Sequence, residues 1–284
     1  MYFLLISLLF NNFPPSYVTM KLWKENKYEE AYNYIKKVYE NEKNSQKKCD
    51  IAHIYLKNLY FLAKIEEMNE IYEETMVNCD RKSPFTFLPI FAYSGDFRYF
   101  NTLKLENLFS RPKYFMKSVK EMVGESLREI LYINYFNKNQ IKKIKGLLDK
   151  DSEFLKGYFF GKGEELYCEV LFSLEYYDEL LKVCKWQREE AFAHEKFLIL
   201  LSLMAKKLIN KDSVKFRAEV ILKRSAILHF GYFEDFEILF YLAEKKEPYE
   251  LHKMLNEKRL KYFPYMKAVY DNYWKIINEY FSKD

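Results

Sequence analysis

The side chains best able to ligate a metal or carry a proton are the four histidines, His53, His194, His229 and His252. Two ligands on one helix must stand three or four residues apart, because only those positions share a face. No His or Cys follows any of the four at that spacing, and the H-E-x-x-H pattern does not occur. They read as ordinary core or surface residues. Cys49, Cys79, Cys168 and Cys184 form no C-x-x-C pair, and a chain of 284 residues can bury a core without covalent staples. Four small, buried, reduced thiols in a cytoplasmic protein are expected. The segment Gly157-Tyr158-Phe159-Phe160-Gly161-Lys162-Gly163 is rich in glycine but lacks the Gly-Lys-Ser/Thr ending of a phosphate loop. It reads as a corner between helices. Paired acids recur at Glu29-Glu30, Glu66-Glu67, Glu73-Glu74 and Glu164-Glu165. Neighbours in a helix point about 100° apart, so such pairs do not converge on one substrate. They read as solvated helix starts that complement the dipole. No cofactor and no metal is expected, and the chain reads as no enzyme.

Basic residues are the next candidates. Lys142, Lys143 and Lys145 form a short run, and Lys215, Arg217, Lys223, Arg224, Lys258, Arg259 and Lys261 follow among aromatics. Base stacking with backbone charge would hold a single strand of nucleic acid. The net charge is only +5, from 46 basic and 41 acidic residues, a weak bias for a dedicated binder. Nucleic-acid binding is therefore the lesser reading.

Long helices must position these residues. Seven Gly and seven Pro are too few for the turns of a sheet protein. Abundant Lys and Glu with three Gln (Gln46, Gln140, Gln187) fit a thermophile. The apolar run at residues 2–10 is too short to span a bilayer, which needs about 20 residues. No Lys or Arg precedes it and no small-residue cleavage site follows, so a buried first helix is expected over an export signal. A start-site error, with Met20 the true start, is the other alternative.

One stretch carries a recognisable plan. Lys24-Glu25-Asn26-Lys27 is a polar turn, and Tyr28-Glu29-Glu30-Ala31 follows with Ile35 and Val38 on the same stripe. Tyr28 would plug the corner between two antiparallel helices, and Ala31 would sit where their backbones come closest. Ala63-Lys64-Ile65-Glu66-Glu67-Met68 repeats the pattern, as does Glu175-Tyr176-Tyr177-Asp178-Glu179-Leu180. Ser94-Gly95-Asp96-Phe97 supplies another such turn, and residues 114–136 with 141–148 form a looser pair. The pattern resembles the tetratricopeptide repeat, over about residues 13–188. Its spacing varies from about 32 to 44 residues, broader than a regular array of 34.

The resemblance implies an all-α protein, an α-solenoid of stacked antiparallel helix pairs. Residues 1–188 would be the repeats and 189–284 a helical C-terminal continuation or cap, in one extended domain. Residues 191–209 are apolar nearly all round and should be central, and Asp212 or Ser213 should start the next helix. The family binds proteins or peptides on the concave face lined by first helices. Here that face would present Ser16, Met20, Trp23 and Lys24, then Asp50, His53, Lys57, Tyr60 and Phe61. The partner-binding set is Met20, Trp23, Lys24, His53, Lys57 and Tyr60. Lys36 falls on a polar face and should tolerate replacement. A regulatory protein that sequesters a transcription or signalling factor, anti-sigma-like, is a narrower version of the same reading.

Overall fold

Residues 14–78, 138–150, 162–184, 186, 193–228, 233–262 and 264–282 are described by the computed structural model. They form twelve α-helices, and no strand occurs among them. The expected turn at residues 94–97, the helix at 114–136 and the apolar run at 2–10 lie outside the described residues.

Helices α1 (Pro15–Lys24), α2 (Tyr28–Asn41), α3 (Ser45–Phe61) and α4 (Ile65–Asn78) pack in succession. Pro15 occupies the first turn of α1, where its missing N–H costs no bond. In α2 the buried residues Tyr28, Ala31, Tyr32, Ile35 and Tyr39 follow the helical period. Ala31 is fully buried and packs with Val18 and Leu22 of α1. Asn44 caps α3 by accepting the Lys47 N–H at 3.0 Å.

Among the described residues the next three helices are α5 (Lys138–Lys150), α6 (Lys162–Ser173) and α7 (Tyr177–Val183). Helix α8 (Ala193–Ala205) is buried without interruption from His194 to Ser202. It packs against α6, α7, α9 (Lys211–Leu228), α10 (Phe233–Leu242) and α12 (Pro264–Phe281), so the all-round apolar helix is central. Helix α9 is capped by Asn210, whose side chain accepts the Ser213 N–H at 2.8 Å; the expected cap, Asp212 or Ser213, lies inside the helix. Helix α11 (Lys246–Tyr262) joins α10 to α12.

Five helix ends share one turn. Asn26, Ala63, Glu175, Lys207 and Glu244 all have φ between 51° and 62°. In each, the N–H of the following residue bonds a carbonyl five residues back, as in Lys27 to Leu22 and Tyr176 to Leu171. This double closure satisfies carbonyls that the helix end leaves open.

A single buried cluster runs from Tyr28 to Ile277 and includes residues on both sides of position 188. Helix α9 touches α1, so the first and last thirds of the chain meet.

Candidate interaction surface

The residues expected to line a binding face are brought together only in part. Trp23 on α1 is half-buried, donates its indole N–H to Asn58 Oδ1 at 2.9 Å, and rests 5.0 Å from the Phe61 ring. These contacts fasten α1 to α3. Tyr60 is only 6% exposed, beneath the Arg259 guanidinium at 5.5 Å. Phe61 is fully enclosed. Lys24 and Asp50 are exposed, while Ser16, Met20 and Lys57 are half-buried. His53 stands on α3 between Ala52 and Ile54, with its side chain outside the described set.

What covers the aromatic residues is helix α11. Its buried positions are His252, Leu255, Asn256 and Arg259, a stripe at i, i+3, i+4 and i+7. Arg259 donates to the Phe61 carbonyl at 2.5 Å and also to Asn256 Oδ1. Asn256 in turn donates to Glu237 at 2.7 Å, and Tyr270 donates to the same carboxylate. His252 Nε2 lies 3.1 Å from the Tyr28 hydroxyl, with the rings of Phe61 and Phe240 at 5.3 and 4.9 Å. Burial pushes the His252 imidazole down to about 3, and the nearby Arg259 charge adds to the effect. His252 is therefore neutral at pH 7. The sequence concealed this latch because three of the four residues on the stripe are polar, so hydrophobic periodicity could not mark the face. Arg259 also leaves the basic set that a nucleic acid would need, because it is 1% exposed.

Other basic residues are engaged within the chain. Arg217 stacks 4.5 Å over Trp186, and Lys215 pairs with Glu244. Lys145 binds Glu179 at 3.0 Å and Asp149 at 3.1 Å.

That last group belongs to a repeated arrangement. Glu67 on α4 accepts from Tyr55 of α3, from Tyr32 of α2 at 2.8 Å, and from Lys36 of α2 at 2.8 Å. Glu179 on α7 accepts from Tyr167 of α6 at 3.1 Å and from Lys145 of α5 at 3.0 Å. In both, the tyrosine stands 12 residues before the glutamate, and the lysine lies on the described helix before that. The Tyr167 hydroxyl also lies 2.8 Å from Asp149, so its proton is shared. Each clasp thus ties three of the described helices, α2–α4 or α5–α7. Burial opposes the charge on Glu67, but hydrogen bonds from Lys36, Tyr55 and Tyr32 outweigh it and lower its pKa. Lys36 is held above its usual range, chiefly by its bond to Glu67.

Two expectations are corrected here. Glu67 stands in the first turn of α4 as expected but is tied to Tyr32, Lys36 and Tyr55 rather than left to solvent, and Lys36 is not an idle surface residue. By contrast, Glu29 and Glu30 are exposed as expected.

A second polar cluster lies under α8. His194 Nδ1 is 2.5 Å from Asp235 and Nε2 is 3.1 Å from Glu169, with all three side chains buried. Burial works against charge on His194, but the two carboxylates overcome it and raise its pKa, so the imidazole is protonated. The expectation of four reduced thiols is corrected as well. Cys168 and Cys184 form a disulfide, Cys49 is disulfide-bonded too, and no described cysteine is free. Spacing could not reveal the bond, since the two sulfurs meet only through the packing of α6 on α7.

No family model matches the chain, and no curated protein or solved structure matches it. No described helix is long and apolar enough to cross a membrane.

Proposed function

We propose that this chain is a helical-repeat protein of the tetratricopeptide-like kind and that it binds a protein or peptide partner without catalysing a reaction. The carrying observation is the pair of Tyr–Glu–Lys clasps, which place a Tyr–Glu bond at the same 12-residue spacing, joined by a Lys from another helix, in α2–α4 and α5–α7. The shared turn supports it. Asn26 and Ala63 are 37 residues apart, Glu175 and Lys207 are 32 apart, and Lys207 and Glu244 are again 37 apart. Repeats of that length stack their helix pairs into an extended binding surface.

The binding face is the α1–α3 side, with its contact set revised by burial. Trp23 and Tyr60 hold α3 and α11 in place, while Lys24 and Met20 offer the accessible atoms. A partner with acidic groups beside an apolar residue fits this set. Arg259, Arg217, Lys215 and Lys145 are engaged within the chain, Lys142, Lys143, Lys223, Arg224, Lys258 and Lys261 are exposed, and the small net charge of +5 disfavours nucleic acid. Disulfides persist in oxidising compartments and in the cytoplasm of hyperthermophiles, and the Lys/Glu-rich, Gln-poor composition suits the second.

The test is affinity capture from extract of the source cells, using the wild type and a Met20→Glu/Lys24→Glu variant of unchanged helicity and melting temperature. A protein enriched by the wild type and lost by the variant is expected. Equal recovery on both, or enrichment of nucleic acid alone, contradicts the reading.

A further inference from the structure

We propose that Cys168, Cys184 and Glu195 form a site for a zinc-class divalent metal when the Cys168–Cys184 disulfide is reduced. The two Sγ atoms and a Glu195 carboxylate oxygen lie within 4.8 Å of one another. All three side chains are buried, Glu195 at 1% exposure. They come from α6, from the residue that ends α7 and from the first turn of α8. Those three helices pack on one another, so the donors converge at a junction of rigid elements. In tetrahedral zinc, ligand atoms about 2.0–2.3 Å from the ion stand roughly 3.5–4 Å apart, inside the observed limit.

A disulfide offers a neighbouring carboxylate neither a proton nor a positive charge. Reduction changes the chemistry. A dithiol supplies two electrons and two protons; the Sγ–Sγ bond breaks, two thiols form, and the dithiol leaves as its own disulfide. An entering ion then displaces the thiol protons and binds two thiolates and the carboxylate. Two soft donors select zinc over magnesium or calcium, and water takes the fourth position. A covalent cross-link in the oxidised protein and a coordinate one in the reduced protein thus fasten α6 to the end of α7 at the same point.

The test uses the full chain, reduced without oxygen by an excess of dithiol that is then removed, with free thiols counted by a chromogenic disulfide. Cobalt(II) is titrated as the visible probe. The expected result is a thiolate-to-cobalt absorption with the intense visible bands of tetrahedral coordination, displaced by zinc and absent in the oxidised protein. Cys184→Ser abolishes it and Cys49→Ser leaves it unchanged. Glu195→Gln, which keeps both thiols, weakens binding by more than about tenfold, the loss that even an outer-shell partner can cause. A fully reduced, helical protein without these bands overturns the proposal. So does a helical Glu195→Gln protein with wild-type affinity, which decides the matter even if Cys184→Ser fails to fold.

Discussion

His252 is enclosed by Tyr28 from α2, Phe61 from α3, Phe236 and Phe240 from α10, and Arg259 one face-turn along its own helix. None of these neighbours offers a negative charge to a protonated ring. Its pKa falls from 6.5 to about 3 on folding. Below pH 6.5 the unfolded chain therefore takes up a proton that the folded chain refuses, and stability is lost as pH falls toward 3. The full slope is about 1.4 kcal/mol per pH unit. Between pH 7.5 and 5.5 the wild type should lose about 1.4 kcal/mol more than His252→Phe does, measured by urea denaturation. Parallel losses in the two proteins would show that the ring is not buried neutral. Ala31 was legible in the sequence because a small residue at a repeated position has one physical use. Lys36 was not, because its role depends on a carboxylate 31 residues away. Ala31→Trp should still cost about 1–3 kcal/mol or more through overpacking. Lys36→Ala should cost on the order of 1 kcal/mol by the same denaturation assay, since its pair with Glu67 is partly solvated.

At the scale of elements, glycine is missing where the backbone wants it and present where it does not. Glu175 and Lys207 adopt φ of 62° and 54°, a left-handed conformation that costs an ordinary side chain energy. Replacing either by Gly should raise stability by up to about 1 kcal/mol, with less gain at Asn26, because Asn tolerates this region. Gly146 lies within α5, and a Cβ there would meet no atom within 4 Å. Gly146→Ala should stabilise by roughly 0.5–1 kcal/mol, as seen in a thermal melt. A fall in melting temperature would mean the position is crowded. The helices themselves were readable from period and from sparse Gly and Pro. The shared turn at Lys207 and Glu244 was not, since backbone closure there recurs without the adjacent pair of acids that follows the turns at Asn26, Ala63 and Glu175. The Cys168–Cys184 bond, across 16 residues, should add about 3 kcal/mol, so reduction without added metal should lower the melting temperature.

For the whole molecule, the latch from α11 to Phe61 and Tyr28 joins parts of the chain 198 and 224 residues apart. Arg259→Ala should speed amide exchange at residues 59–63 as well as in α11, because the Phe61 carbonyl and the Tyr60 ring lose their cover together. Exchange that changes only in α11 would show the latch to be passive. The deeper claim is that α2–α4 and α5–α7 are built to one plan, since the proposed function rests on it. Double-mutant cycles measure this most directly, pairing Tyr55→Phe with Glu67→Gln and Tyr167→Phe with Glu179→Gln. Contacting pairs of this kind couple by about 0.5–3 kcal/mol. Coupling of the same sign at both clasps, each above about 0.5 kcal/mol, is the predicted result. Coupling at one pair with none at the other would contradict the repeat, and with it the reading of the chain as a repeat-built binding surface.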